Sequence, residues 1–329
     1  MLALIILIMA TASAHEINIT QLSLNEKIGQ MLMVPGDRLS ESYLKLNIGG
    51  IFIDKKMSKE EYQDIIARYQ NASRIPLLVA LDLEGYWNPL PFYSSKNFGQ
   101  ISSDIAAYEL GAEHAAVMKE LGFNLDFSPV VEMRNEVWPG RSFNGSPEEV
   151  NAKIKQYIHG VQSKGVYATA KHYPGGSMLR DPHKFIVNAS ITREDLATFD
   201  AAINANVSAV MIGHPIVTGP IDSRGRQSSV SPEVIDNLRK TFHGVIITDS
   251  IGMLGLRFSY LFRRDQLYVD LIKAGNDIIL DTGRFFASPR STQQGIEAVK
   301  KAVQNGEISE KRIDESVRRI LLLKGHTVF

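Results

Sequence analysis

The segment Gly244-Val245-Ile246-Ile247-Thr248-Asp249 decides the fold, because it is a short apolar run that ends in a single carboxylate. A continuous hydrophobic run of this length is typical of a strand buried on both faces of a parallel sheet. Seven further runs share this character, at 29–34, 49–53, 77–81, 123–127, 167–170, 209–212 and 277–280. Eight such strands, alternating with helical segments in one uninterrupted chain, predict an α/β fold, a single-domain TIM (β/α)8 barrel.

The segments between the runs carry helix signals. Residues 103–121 are predicted to form a helix whose apolar face comprises Ile105, Tyr108, Ala112, Ala115 and Met118. Ser146, Thr192 and Ser231 are predicted N-caps of later helices, since hydroxyl side chains accept bonds from free N–H groups at helix starts. The competing fold is a doubly wound open sheet, but residues 33–37, after the first run, lack the glycine-rich phosphate loop typical of it.

Composition excludes several classes of protein. The 329 residues include 36 Lys and Arg against 36 Asp and Glu, so the formal net charge is zero and a nucleic-acid partner is not expected. Hydrophobic residues make up 44% and charged residues 22%, which is typical of a globular chain. The chain has no cysteine, which excludes disulfides, thiolate metal sites and a cysteine nucleophile.

The N-terminal residues 1–14, MLALIILIMATASA, have the outline of a signal peptide. Their apolar run is too short to span a bilayer, and small residues precede polar His15 and Glu16 at the expected cleavage point. We therefore expect an exported, periplasmic or secreted protein comprising residues 15–329, without stable membrane insertion. A buried first strand, an uncleaved interfacial anchor and a cytoplasmic location are the alternatives.

Polar residues follow several of the predicted strands, where the active sites of barrels form. They are Asp54, Asp82, Ser128, Lys171, His172, His214, Asp249 and Asp281. Asp249 is the sharpest case because a wholly apolar strand precedes it. A carboxylate on such a rigid element can act as a nucleophile, a metal ligand or a charge stabiliser. A helix cap, a turn or a core salt bridge is the alternative role for each of these residues alone.

The segment that follows Lys171 and His172 ends in Asp181-Pro182-His183. This spacing lets the carboxylate bond one imidazole nitrogen and raise the basicity of the other, which makes a proton shuttle. A simple turn with a solvated histidine is the alternative. A metal site formed by His172, His183 and His214 is a further alternative, although their spacing matches no metal-binding motif.

Ordered motifs resemble glycoside hydrolase family 3, in its single-domain β-N-acetylglucosaminidase branch, from about Leu24 to Leu323. The motifs are Asp82-Leu-Glu-Gly85, Gly122-Phe-Asn-Leu-Asp-Phe-Ser-Pro-Val130, Gly140-Arg-Ser-Phe143, Lys171-His-Tyr-Pro-Gly175, Asp181-Pro-His183, Gly244-Val-Ile-Ile-Thr-Asp-Ser-Ile-Gly-Met253 and Ala274-Gly-Asn-Asp277.

The resemblance implies a barrel that hydrolyses terminal β-linked N-acetylglucosamine with retention of configuration. It implies that Asp249 is the nucleophile, that His183 is the acid/base and that Asp181 is its partner. The resemblance assigns the sugar hydroxyls to Asp82, Arg141, Lys171 and His172. It implies no metal or organic cofactor, a small saccharide as the binding partner and, we expect, a monomer.

Three departures from the family pattern leave other functions open. Gly176 stands where the family's catalytic loop usually has histidine, Pro182 replaces a serine, and the aromatic residues Tyr86 and Trp87 replace a Gly-Arg pair. Tyr86 and Trp87 would form a sugar platform or simply pack. The alternatives to the leading function are a non-catalytic saccharide-binding protein on a degenerate barrel and a β-glycosidase with a different sugar preference.

Overall fold

The computed structural model describes residues 16–133, 135, 137–176, 180–283 and 287–329. Eight parallel strands form one sheet: β1 (Leu32–Pro35), β2 (Gly50–Phe52), β3 (Leu78–Leu81), β4 (Leu125–Asp126), β5 (Tyr167–Tyr173), β6 (Ala209–Ile212), β7 (Val245–Thr248) and β8 (Ile279–Leu280). Their order in the sheet is β7-β6-β5-β4-β3-β2-β1-β8. A parallel bridge between Ile247 and Ile278 joins the two ends of the sheet, and the barrel prediction is confirmed.

Each of the eight apolar runs overlaps one barrel strand. Alternation along β6 shows how a strand divides its side chains between two layers, because Val210 and Ile212 pack in one core cluster, and Ala209 and Met211 pack in the other. Met211 also lines the cavity at the barrel mouth, so its face of the strand points inward. The first run differs slightly from the prediction. Its first two residues belong to a helix that ends at Gln30, and the strand starts at Leu32.

Helices connect the strands and surround the barrel. They are α1 (Leu24–Gln30), α2 (Glu41–Leu44), α3 (Lys59–Ala72), α4 (Asp104–Leu121), α5 (Pro147–Ser163), α6 (Arg193–Asn204), α7 (Pro232–Arg239), α8 (Leu254–Arg257), α9 (Arg264–Ala274), α10 (Pro289–Gln304) and α11 (Glu310–Leu323). Ser146 and Thr192 form capping boxes with the third residue of α5 and α6, as their sequence positions predicted.

The predicted apolar face of α4 is partly wrong. Ile105 is 69% exposed and Tyr108 is 39% exposed, whereas His114 on the same helix is fully buried. The reason is close backbone packing against α5: a Cβ on Gly111 would lie 2.3 Å from the Tyr157 carbonyl oxygen. The buried face therefore contains Gly111, together with Leu110, Met118 and Leu121, and Ile105 and Tyr108 lie outside it.

Two short pairs of strands lie outside the barrel. Glu16–Ile17 pairs with Thr327–Val328, and Asn188–Ser190 pairs with Ile216–Thr218. The second pair joins the segment after β5 to the segment after β6, near the barrel mouth. Among the described residues, no helix is long and apolar enough to cross a membrane. The predicted signal peptide, 1–14, lies outside the described residues.

Candidate active site

A cavity of about 130 Å³ opens at the carboxyl ends of the barrel strands. That volume is close to the roughly 150 Å³ of an engineered cavity that holds benzene, so the site has room for about one six-membered ring. Six of the seven predicted site residues line it: Asp82, Arg141, Lys171, His172, His183 and Asp249. The seventh, Asp181, lies directly behind His183. The fold therefore brings together residues that are up to 167 positions apart in the sequence.

One side of the cavity is a buried network of charges. Lys171 Nζ lies 2.6 Å from Asp82 Oδ1 and 2.6 Å from Glu84 Oε1. Arg141 donates two bonds to the Glu84 carboxylate, of 2.7 and 2.8 Å. A bidentate pair of this kind fixes the guanidinium in direction as well as in place. We call Asp82, Glu84, Arg141 and Lys171 the buried charge cluster; it holds two positive and two negative groups.

The pKa values in this cluster follow from burial and pairing. Burial raises the pKa of the Glu84 carboxyl, but the Lys171 ammonium and the Arg141 guanidinium hold it well below its usual value. Burial also raises the pKa of Asp82; Lys171 opposes this effect, and the neighbouring Glu84 carboxylate adds to it. Lys171 remains a cation, because Asp82 and Glu84 raise its pKa although burial lowers it. The pairing of both carboxylates with Lys171 and Arg141 favours their ionised forms, and the cluster then has no net charge.

Asp249 follows β7 at the rim of the barrel. Its backbone N–H donates to the Ile212 carbonyl at 2.8 Å, and its Oδ1 accepts the Ser250 N–H at 2.7 Å. Its Oδ2 lies 3.9 Å from His172 Nε2. Burial raises the pKa of Asp249, but His172, His214 and His183 outweigh it, so the pKa lies below the usual value. The carboxylate is therefore ionised, fixed and open to the cavity, as a nucleophile must be.

Two histidines beside Asp249 are held from behind. His172 Nδ1 bonds Glu132 Oε1 at 2.9 Å, which leaves Nε2 directed towards Asp249. His214 Nδ1 bonds the Ser229 hydroxyl at 2.8 Å, and burial lowers the pKa of His214. Such bonds fix the orientation of an imidazole ring. Among the residues that the structure describes, no group of three or more His, Asp or Glu side chains could hold a metal ion.

Another side of the cavity is a loop that carries Asp181 and His183. His183 Nδ1 lies 2.8 Å from Asp181 Oδ1, and the His183 side chain is 57% exposed. Burial raises the pKa of Asp181, but its bonds to His183 have the larger, opposite effect, so the pKa lies below the usual value. The His183 carbonyl accepts the Leu254 N–H at 3.1 Å, so the loop is docked on α8. The geometry matches the predicted carboxylate–imidazole pair.

Three of the polar strand-end residues do not line this cavity. Asp281 is engaged by Arg264, Tyr268 and Thr292 in the barrel wall. The Ser128 hydroxyl donates to the Leu83 carbonyl at 3.0 Å, and Asp54 lines a neighbouring depression. Of the three, Asp281 has the core salt bridge that was the alternative role for such a residue.

The sequence did not reveal several residues of the site. Glu84 and Glu132 are essential to its geometry, because they bond Arg141, Lys171 and His172. Trp138 lines the cavity, whereas Trp87 does not, and Trp87 is 56% exposed. The only available signal for Glu84 was its place within the motif 82–85, and that for Glu132 was its place two residues after the motif 122–130. Nothing in the local sequence distinguishes Trp138.

Comparison with known proteins identifies the family. Residues 23–323 match the Glycosyl hydrolase family 3 N terminal domain. A beta-N-acetylglucosaminidase/beta-glucosidase from Cellulomonas fimi is 27% identical over 335 residues, which cover 91% of this chain and 57% of that protein. A beta-hexosaminidase from Xylella fastidiosa (strain M23) is 32% identical over 232 residues, which cover 64% of this chain and 69% of that protein.

A solved structure supports the same conclusion. A glycoside hydrolase family 3 beta-N-acetylglucosaminidase from Paenibacillus sp. str. FPU-7 superposes with a TM-score of 0.81 at 28% identity, covering 92% of this chain and 62% of that chain. The chain thus spans about three fifths of the length of that enzyme and of the Cellulomonas fimi relative. With the family match over 23–323, the resemblance of the ordered motifs is confirmed: this chain belongs to glycosyl hydrolase family 3.

Proposed function

We propose that the protein is a retaining exo-β-N-acetylglucosaminidase that removes terminal β-linked N-acetylglucosamine from small cell-wall or chitin-derived saccharides. One observation carries the proposal: an ionised carboxylate, Asp249, and a carboxylate-paired imidazole, His183, line the same ring-sized cavity. The names of the relatives add support for the sugar, since one is called beta-N-acetylglucosaminidase/beta-glucosidase and another beta-hexosaminidase.

The proposed reaction has two steps. An Asp249 oxygen attacks the anomeric carbon while the glycosidic C–O bond breaks, and the His183 imidazolium gives its proton to the departing oxygen. Neutral His183 then takes a proton from water, whose oxygen attacks the anomeric carbon and displaces Asp249. Most retaining glycosidases use a second carboxylate for the proton, and a neutral imidazole avoids a second negative charge beside the ester.

The buried charge cluster is suited to an uncharged sugar. The Asp82 side chain is 28% exposed, whereas the Lys171 side chain is 2% exposed. Asp82 therefore meets the sugar hydroxyls directly, with Arg141 and His172 beside it, and Lys171 acts chiefly by neutralising the two carboxylates. Because the cluster has no net charge, it gives no general attraction for anionic ligands.

Hydrolysis of 4-nitrophenyl N-acetyl-β-glucosaminide, compared with the β-glucoside, tests the proposal. We expect turnover of the N-acetylglucosaminide, with the β-anomer as the first sugar detected by proton NMR. Faster turnover of the glucoside would favour the alternative sugar preference. Tight sugar binding without turnover, even of a dinitrophenyl glycoside, would favour the non-catalytic binding protein. The α-anomer as first product would overturn the covalent intermediate.

We also propose that the protein is exported and monomeric. Support for export is confined to the composition of residues 1–14. Fractionation of the producing cells, followed by N-terminal sequencing, should find a mature chain outside the cytoplasm that begins near His15. Recovery of the chain in the cytoplasm with Met1 intact would contradict export. Light scattering of the purified chain measures the oligomeric state, for which we expect one copy.

A further inference from the structure

We infer that Trp138 is a positioning residue for His183: its indole ring holds the imidazole at the cavity edge, where the proton is transferred. The inference rests on the proposed function. The two rings meet in a T-shaped contact, with centroids 5.8 Å apart and planes at 79°. Aromatic pairs favour this edge-to-face arrangement. Trp138 also lines the cavity, so the contact lies beside the reacting groups.

His183 needs such a support because much of its ring is exposed to solvent. Asp181 bonds Nδ1 and so fixes one edge of the imidazole. A single bond in the plane of a ring leaves the ring free to tilt about that bond. The Trp138 contact restrains the tilt, and a proton donor held in one orientation transfers its proton more effectively than one that samples many.

Trp138 is itself tied to the buried side of the cavity. Its backbone N–H donates to Asn135 Oδ1 at 2.9 Å, and Asn135 Nδ2 donates to Glu132 Oε2 at 3.0 Å. Glu132 in turn bonds His172 at 2.9 Å. The backbone of Trp138 is thus linked through Asn135 and Glu132 to His172, which faces Asp249.

A second tie runs through a cation. The Arg141 guanidinium lies 5.1 Å from the centroid of the Trp138 ring, within the range of a cation–π contact. The same guanidinium is clamped by Glu84 in the buried charge cluster. The indole therefore lies between the Arg141 guanidinium of the buried charge cluster and the His183 imidazole of the exposed loop, and it fixes the imidazole relative to the cluster.

Substitution of Trp138 should affect proton delivery more than substrate binding. We expect Trp138→Leu to lower kcat/KM for a phenyl N-acetyl-β-glucosaminide about threefold to tenfold, the range that an aromatic pair contributes. The 2,4-dinitrophenolate group leaves without acid help, so kcat/KM for the 2,4-dinitrophenyl substrate should change less than about twofold. Trp138→Phe keeps an aromatic ring and should restore most of the loss. Equal losses on both substrates would overturn the inference, because they indicate a general binding or structural role.

A spectroscopic measurement tests the ring contact without relying on turnover. The chain has two tryptophans, so Trp87→Phe leaves Trp138 as the only one. A protonated imidazole quenches the fluorescence of an indole that it touches. Emission of the Trp87→Phe protein should therefore fall as the pH is lowered from about 8 to 5, where histidines gain their protons.

The charged and titratable groups around His183 define the controls. Asp181 and Lys184 lie on its own loop, Asp249 and His214 face it across the cavity, and Arg141 lies against the indole. The quenching should disappear in Trp87→Phe/His183→Ala and remain in Trp87→Phe/His159→Ala, since His159 is an exposed residue of α5. Quenching that persists without His183, or none in the parent, would overturn the contact. A protein that quenches but hydrolyses no glycoside would refute the proposed function alone.

Discussion

The two sides of the cavity are built in opposite ways. On one side, the Glu84 side chain is 0% exposed and the Arg141 side chain 13%, and several charge-assisted bonds hold the cluster together. On the other side, the His183 side chain is 57% exposed and depends on a carboxylate, an indole and one backbone bond. The side with the buried charge cluster is thus part of the folded core, whereas the side with His183 is an exposed addition to it.

This difference teaches how stability and activity should separate. Removal of one member of a buried ion pair leaves an unpaired charge in a low-dielectric environment, which destabilises the fold. Removal of a solvated loop side chain leaves no such charge. Variants on the buried side should therefore lose stability and activity together, and variants on the loop side should lose activity alone.

The largest expected effect is that of Asp249→Ala. Loss of the nucleophile should lower kcat by more than about 10⁴-fold, with good and poor leaving groups alike, because the covalent step itself is lost. Steady-state kinetics on both substrates measures this. Asp281→Asn is the matched control at the end of β8: it should lower the free energy of unfolding and retain far more activity than Asp249→Ala. Activity that survives Asp249→Ala would refute the assignment of the nucleophile.

Glu84→Gln tests the buried side directly. Arg141 and Lys171 would lose the carboxylate that pairs them, and breaking a buried pair costs about 3–5 kcal/mol. Urea unfolding should show this loss, accompanied by a higher KM for the glycoside. Glu120→Gln is the control, because its ion pair with Lys59 is exposed on both sides and should contribute less than about 1 kcal/mol. If the two variants are equally stable, the cluster does not support the fold.

The barrel could be predicted well from the sequence because each strand coincides with a continuous apolar run. It could not predict which strand-end carboxylate is free to act. Asp249 and Asp281 each follow two isoleucines and one further residue, so their local patterns are the same. Arg264, on the helix that follows β7, engages Asp281, and no such cation engages Asp249 among the described contacts. That distinction depends on long-range packing.

The same limit explains the residues that sequence reasoning missed. Glu84 lies in a recognised motif, but its bonds to Arg141 and Lys171 span 57 and 87 positions, which no local pattern encodes. Trp138 was missed because its contacts with His183 and Arg141 exist only once two loops meet above the barrel. The inward face of α4 was wrong for a related reason, since that face packs against another helix through a glycine.

His183→Ala tests the loop side. We expect kcat/KM for a poor leaving group to fall about 10²-fold or more, because general acid catalysis contributes at least this much. A dinitrophenyl leaving group should rescue most of the loss of the first step. The free energy of unfolding should fall by no more than about 1.5 kcal/mol, the contribution of the lost aromatic contact with Trp138, which is well below the loss expected for Glu84→Gln. A large loss of stability would contradict the separation of the two sides.

The smallest expected effect concerns Asp126, which supports the buried side from beneath. Its Oδ1 accepts the N–H of Leu83, the residue between Asp82 and Glu84, at 3.3 Å. Burial raises the pKa of Asp126 to about 8, and burial lowers the pKa of His114 to about 3. A protonated Asp126 can donate to the Tyr157 hydroxyl, 3.1 Å away, which can then donate to neutral His114 at 2.8 Å.

A carboxyl pKa that is raised in the folded state changes the pH dependence of stability in a definite direction. Between about pH 4 and 8 the folded chain binds a proton at Asp126 that the unfolded chain has lost, so stability decreases as the pH rises. From pH 6 to 7 this residue should cost about 1 kcal/mol. Asp126→Asn imitates the neutral acid at every pH, since its amide can donate to Tyr157. The unfolding free energy of this variant minus that of the wild type should therefore increase by about 1 kcal/mol from pH 6 to 7. Exposed Asp64→Asn should leave the pH dependence unchanged, and a difference that is flat between pH 6 and 7 would show that Asp126 is ionised.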